Sequence, residues 1–210
     1  MTDRLRQRGC NGFAIDVGAL MRDLPASPNA NLVTRPTGRA VREAIEGELS
    51  GAGHLSVSVI DLTGVGVLDF SCADEVVAKL LLRYLPAERP GDIFFLFRAV
   101  REVHGHAVDE VLARHGLAAV CDFGEGGCSL LGPATTEERA AWSTLERRER
   151  IGASASAPLL GARGEALLLR LSERRLILRD SGGTACSLSA LARHLPDETR
   201  LKRHGEDDGH

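Results

Sequence analysis

Ile93-Phe94-Phe95-Leu96-Phe97 is an unbroken apolar run with no polar alternate to turn toward water. It is too short for a helix, and a strand of this kind is buried on both faces, the habit of a parallel sheet covered by helices. Downstream, Val100, Val103, Ala107, Val108, Val111 and Leu112 keep helical spacing until Gly116, and Leu117-Ala118-Ala119-Val120-Cys121 is the next strand. Gly124, Gly126 and Gly127 then turn the chain so that Cys128-Ser129-Leu130-Leu131 returns as a hairpin. Upstream, a helix beginning at Ser71 carries the stripe Ala73, Val76, Val77, Leu80, Leu81 and Tyr84, and Pro86, Pro90 and Gly91 close it. Val57, Val59 and Ile60 mark a strand ending at Asp61. Before it, Val41, Ile45 and Leu49 recur every four residues in a helix from Gly38, and Phe13 to Leu20 form a first strand. Alternation of this kind predicts an α/β domain over 12–131, with a mixed or mainly parallel sheet and packed helices.

The pattern changes at Gly132-Pro133-Ala134, which reads with its neighbours as a linker over 132–136. Thr135-x-x-Glu138 has the form of a capping box and opens a helix with Trp142 and Leu145 facing inward, ending near Ile151. A short helix over 156–160 and a longer one from Arg163 to Arg174, with Leu167, Leu168 and Leu171 as its stripe, come next. Arg175 to Arg179 is strand-like, Asp180-Ser181-Gly182-Gly183-Thr184 is a turn, and Ala185 to Leu191 is the returning strand. Three helices followed by a hairpin give the order of a small winged-helix-like α+β domain over 137–203, before an acidic tail over 204–210. The two domains are expected to fold as separate units.

With 210 residues, 43% hydrophobic and 26% charged, and a mean hydropathy of −0.07, the chain has the composition of a globular protein. No apolar run approaches the ~20 residues of a membrane span, and Met1-Thr2-Asp3-Arg4-Leu5-Arg6 is not the start of a signal peptide. Five scattered cysteines, Cys10, Cys72, Cys121, Cys128 and Cys186, argue for free thiols and a cytoplasmic location without a membrane partner. The net charge of −3 is uneven: residues 1–136 carry 13 basic and 17 acidic groups, residues 137–204 carry 13 and 9. The excess of positive charge in the C-terminal segment is a first pointer to an anionic partner there.

Within 12–131 the motifs are Gly38-Arg-Ala-Val-Arg-Glu-Ala-Ile45 on a helix, Val59-Ile-Asp-Leu-Thr-Gly-Val65 at a strand end, and Leu68-Asp-Phe-Ser-Cys-Ala-Asp-Glu75 entering the next helix. In this order they resemble the STAS superfamily of sulfate-transporter and anti-sigma-factor-antagonist domains, most closely its STAS-like branch of unassigned function. The resemblance implies a regulatory domain that binds a protein partner at the strand-to-helix corner, near Phe70, Ser71, Asp74 and Glu75. STAS antagonists carry Asp-Ser-Ser-Gly there, the first serine being a phosphorylated switch. Here Phe70 stands in that place and Ser71 matches the second serine, which makes Ser71 the candidate phosphorylation site.

From the residues alone, Ser71 is also a candidate helix cap, accepting from the Asp74 N–H with Asp74 reaching back, a role worth about 1 kcal/mol. Asp61, Asp69, Asp74 and Glu75 gather near strand ends, where open α/β sheets bind ligands. No nucleophile with a base and no phosphate loop accompanies them, so a non-enzymatic protein is expected. His104, His106, His115, Cys121 and Cys128 match no metal-ligand spacing, though the two cysteines can face each other across the hairpin as a redox pair. No metal or cofactor is expected. In the C-terminal unit, Arg163, Arg170, Arg174 and Arg175 on or beside the third helix and Arg179 at the wing are the candidate DNA contacts. Two functions follow: a regulator that binds a protein partner, with the winged-helix-like unit as output or homodimer surface, or a DNA-binding transcription regulator with the STAS-like domain as sensor.

Overall fold

The structure is a computed structural model and describes residues 10–24, 31–50, 55–85 and 89–193. Strand β1 (Cys10–Asp16) is followed by helix α1 (Val17–Asp23), β2 (Asn31–Leu32), α2 (Arg35–Leu49), β3 (Leu55–Asp61) and β4 (Val67–Leu68). Next come α3 (Phe70–Ala73), a π-helical segment (Asp74–Lys79) and α4 (Leu80–Tyr84), then β5 (Asp92–Arg98), α5 (Glu102–His115), β6 (Ala119–Asp122) and β7 (Cys128–Leu131). The central sheet has the order β1-β3-β5-β6-β7; its first four strands are parallel, and β7 returns antiparallel to β6. Strands β2 and β4 pair in a separate two-stranded parallel ladder.

Every crossover steps to the next strand in the same direction, and right-handed connections then deliver all their helices to one face. Val17 and Met21 of α1, Val41 and Ile45 of α2, Val76, Val77 and Leu80, and Val108, Val111 and Leu112 of α5 pack there on Phe13, Ile15, Ile60, Phe95 and Phe97. The opposite face shows Val57, Val59, Phe94, Leu96, Ala118, Val120 and Leu130. It is covered by the remainder of the chain: α6 (Thr136–Arg148), β8 (Arg150–Ile151), α7 (Ser156–Leu160), α8 (Gly164–Glu173), β9 (Ile177–Arg179), β10 (Ala185–Ser187) and α9 (Leu188–Ala192). Trp142, Leu145, Leu168, Leu171, Leu176, Leu178 and Leu188 belong to the same buried cluster as that sheet face, and α9 lies across β3 and β5. The three short strands form an antiparallel sheet of order β8-β10-β9. At the junction, Gly132 has φ 82°, and a Cβ there would fall 2.2 Å from the Leu117 carbonyl oxygen, so the turn from β7 into α6 requires glycine.

The mixed α/β class and the mainly parallel sheet are as expected, and several boundaries move for local reasons. The first strand stops at Asp16, whose carboxylate accepts from the Ala19 N–H at 2.9 Å and opens α1. Helix α2 begins at Arg35 and not at Gly38, because Thr34 caps it and Pro36 occupies the first turn, where its missing N–H costs nothing. The returning strand ends at Ser187, whose hydroxyl caps α9. The acidic tail expected over 204–210 lies outside the described residues.

Candidate functional site

The strand-to-helix corner is organised by Asp69. It is the N-cap of α3: its Oδ1 accepts from the Cys72 N–H at 2.8 Å and from the Ser71 hydroxyl at 2.9 Å. Ser71 is therefore a donor to the cap and not the cap itself. The preference follows from chemistry, since a carboxylate two residues earlier takes both donors with charge assistance. The Cys72 thiol donates to the Thr34 carbonyl at 3.0 Å, and burial beside Asp69 pushes it up to about 12, far from thiolate chemistry. Gly38 lets α2 approach here, as a Cβ would sit 2.9 Å from Cys72 Cα.

Asp74 and Glu75 start the π-helical segment and are buried, Glu75 completely. Arg35 Nη1 lies 2.8 Å from Asp74 Oδ2 and 3.1 Å from Glu75 Oε1, and Arg42 Nε is 3.3 Å from Glu75 Oε2. Lys79 bonds Glu75, and His115 at the end of α5 meets Asp74 at 2.8 Å. Burial pushes both carboxyls up, but hydrogen bonds from Arg35 and His115 to Asp74, and from Lys79 and Arg42 to Glu75, outweigh it and hold both below the usual carboxylate range. Phe70 is half-buried against the helix-side core, with the Arg114 guanidinium 4.4 Å over its ring. Of the four corner residues, Phe70 and Ser71 thus reach the surface, while Asp74 and Glu75 join the π-helical segment to α2 and α5 from within. The sequence reading names His115 and, within a motif, Arg42, but pairs neither of them, nor Arg35, with these acids. Only the Glu75–Lys79 spacing of four on a helix signalled one of these pairs.

Other carboxylates near the strand ends act as turn acceptors. Asp61 takes the N–H and hydroxyl of Thr63 at 2.8 and 2.6 Å, and Asp122 takes the Gly124 N–H at 2.8 Å. A cleft of about 540 Å³ does open beyond β5 and β6, lined among others by Ala99, Arg101, Glu102 and Phe123. The strand order never reverses between β1 and β6, however, so no switch-point crevice forms of the kind open α/β sheets use for ligands. Among the described residues no group of three or more His, Cys, Asp or Glu is set to hold a metal. Cys121 opposes Ser129 and Cys128 opposes Asp122, which puts the two thiols on opposite faces of the hairpin and removes the redox pairing. His104 is buried with Nε2 3.3 Å from the Gly66 carbonyl, and His106 is exposed.

The five C-terminal arginines do not converge. Arg174 lies 3.1 Å from Glu138 and also bonds the Pro133 carbonyl, while Arg179 bonds Glu165. Arg175 is inserted under the sheet edge: it bonds Asp92 and the Ile93 carbonyl and covers the Phe94 ring at 4.6 Å. Arg163 is exposed, 3.8 Å from Glu137, and Arg170 is exposed on α8. The outward face of α8 is Glu165, Ala166, Leu169, Arg170 and Glu173, with two acids to one base. No described helix is long and apolar enough to cross a membrane. The chain matches no protein-family model, no curated protein and no solved structure.

Proposed function

We propose that this is a non-enzymatic regulatory protein of the cytoplasm that binds a protein partner at the Phe70–Ser71 corner, with the C-terminal unit as output or dimerisation module. The observation that carries the reading is the contrast within the corner. Its acids are neutralised from within, so a partly exposed aromatic ring and a hydroxyl on a rigidly capped helix start stand among the exposed cations Arg35 and Arg114, with no free carboxylate from Asp74 or Glu75 beside them. Exposed apolar side chains lie around it: Val67 on β4, Val33 just past its partner strand β2, and Val103 in the first turn of α5, which reaches the Gly66 carbonyl through Arg101 and His104. Apolar groups beside an aromatic anchor suit a protein interface. A phosphate on Ser71 would set two charges against the Asp69 carboxylate that now accepts its hydroxyl, and would thereby disturb the helix start.

The test is co-purification with the full chain, followed by reconstitution with the purified partner. Val103→Asp and Phe70→Ala are expected to weaken the complex at least tenfold, Val103→Asp with no change in thermal stability. Unchanged binding by Val103→Asp and by Ser71→Glu would refute the site. A second reading, a DNA-binding regulator built on a winged-helix-like unit, draws support from the order helix–strand–helix–helix–strand–turn–strand and from the β8-β10-β9 sheet. The internal pairing of Arg174, Arg175 and Arg179 weighs against DNA contact through α8 and the wing.

A further inference from the structure

The exposed positive charge of the C-terminal unit lies elsewhere than on α8. Arg147 and Arg148 occupy the last turn of α6, Arg150 stands on β8 and Arg193 follows α9, and all four are exposed. Arg193 bonds Glu149 at 2.7 Å, which brings the end of α9 to the α6–β8 corner where Arg147, Arg148 and Arg150 follow one another in the chain. Their compensation is thin. Arg147 reaches only the Thr144 hydroxyl, at 3.5 Å, and Arg148 meets no carboxylate within 4 Å among the described residues. Arg150 is 4.0 Å from Asp180, and the neighbouring Glu146 is turned inward to the Ser189 hydroxyl. The exposed large apolar side chains of the described residues are Val33, Val67, Leu82, Val103 and Leu169, none of them on this corner.

We propose that the Arg147–Arg148–Arg150–Arg193 corner binds the phosphodiester backbone of double-stranded nucleic acid, without reading base sequence. A protein interface needs an apolar or aromatic centre, which the described residues of this corner do not supply. Guanidinium forks match phosphate oxygens two at a time, and Arg147 and Arg148, which meet no carboxylate within 4 Å among the described residues, keep that capacity in full, while Arg150 and Arg193 share theirs with Asp180 and Glu149. Backbone contact of this kind is sequence-independent and is read as counterion release. It does not use the partner-binding corner and stands independently of it.

The experiment is fluorescence anisotropy of the full chain with a labelled duplex of about 20 base pairs and mixed sequence, across a salt series. The unmodified chain is expected to bind at low salt. Arg147→Gln with Arg148→Gln is expected to lower the slope of log K against log salt by about two and to weaken binding more than tenfold, while Arg170→Gln changes it less than twofold. If the double variant melts early, Arg193→Gln decides, with a slope lower by about one. Three results would overturn the proposal: no binding at low salt, binding unchanged by these substitutions, or equally tight binding to phosphatidylserine vesicles that the same substitutions abolish.

Discussion

Arg175 shows how one side chain ties distant parts of the sequence together. It is 9% exposed at the side chain, its planar group lies on Phe94, and it satisfies the Ile93 carbonyl and Asp92 from more than 80 residues away. Asp92 remains 40% exposed, so solvent weakens the ion pair itself. What Arg175→Ala loses is mainly the stacked surface and the partner of a carbonyl, about 1–3 kcal/mol, and urea denaturation would register it. Arg175→Lys is expected to recover less than half, because an ammonium group cannot lie flat on the ring. The buried carboxylates give a second prediction. Asp74 and Glu75 have folded values below their unfolded ones, so their stabilisation is complete above the ordinary carboxylate range and is lost as pH falls through the folded values. Melting temperatures measured between pH 7 and 3 should drop steeply below about pH 4. Glu75→Gln should cost about 3 kcal/mol at neutral pH and flatten that drop. Beyond the Glu75–Lys79 spacing, none of this was legible in the sequence, where Asp74, Glu75 and Arg175 read as surface charges. Apart from Lys79, their partners lie dozens of residues away, and composition carries no distances.

At the scale of elements, caps decide the boundaries. Thr135 and Glu138 form the reciprocal capping box that the sequence predicts, with Glu138 Oε2 accepting from the Thr135 N–H at 2.9 Å and Thr135 Oγ1 from the Glu138 N–H at 3.1 Å. Thr135→Ala is expected to cost about 1 kcal/mol in thermal or chemical unfolding, and an unchanged midpoint would mean that α6 is held by Trp142 and Leu145 alone. The central strands and long helices were legible because burial leaves long periodic traces: β5 is apolar throughout and α2 repeats every four residues. Short elements leave none. β2, β4 and β8 have two residues each, and α9 takes over a strand-like segment only because Ser187 caps it. The π-helical segment was invisible for another reason. It admits one extra residue per turn where Asp74 and Glu75 turn inward to Arg35 and Arg42, a tertiary demand on a sequence whose apolar stripe is ordinary.

For the molecule as a whole, the decisive relation is between the sheet and what covers it. Residues 12–131 and 137–203 were expected to be independent units, yet Val57, Val59, Phe94 and Leu96 share a buried cluster with Trp142, Leu145, Leu178 and Leu188. A chain cut in the 132–137 junction is accordingly expected to stay associated through gel filtration under native conditions. A fragment ending at residue 134 is expected to bind a hydrophobic dye strongly and to aggregate. A soluble, monomeric fragment that melts cooperatively would instead establish the two units as independent.

The two sides of the sheet also differ in time. The helices of one side are interleaved with the strands, so that side can close as the chain emerges from the ribosome. The other side waits for residues 136–193. At roughly 5–20 residues per second, β5 and β6 spend several seconds with Phe94 and Leu96 uncovered while α6 to α9 are still being made. The nascent protein therefore passes through an adhesive stage set by the order of its genetic message, and a circular permutant that begins at α6 should shorten that stage while keeping the same side chains packed on the sheet.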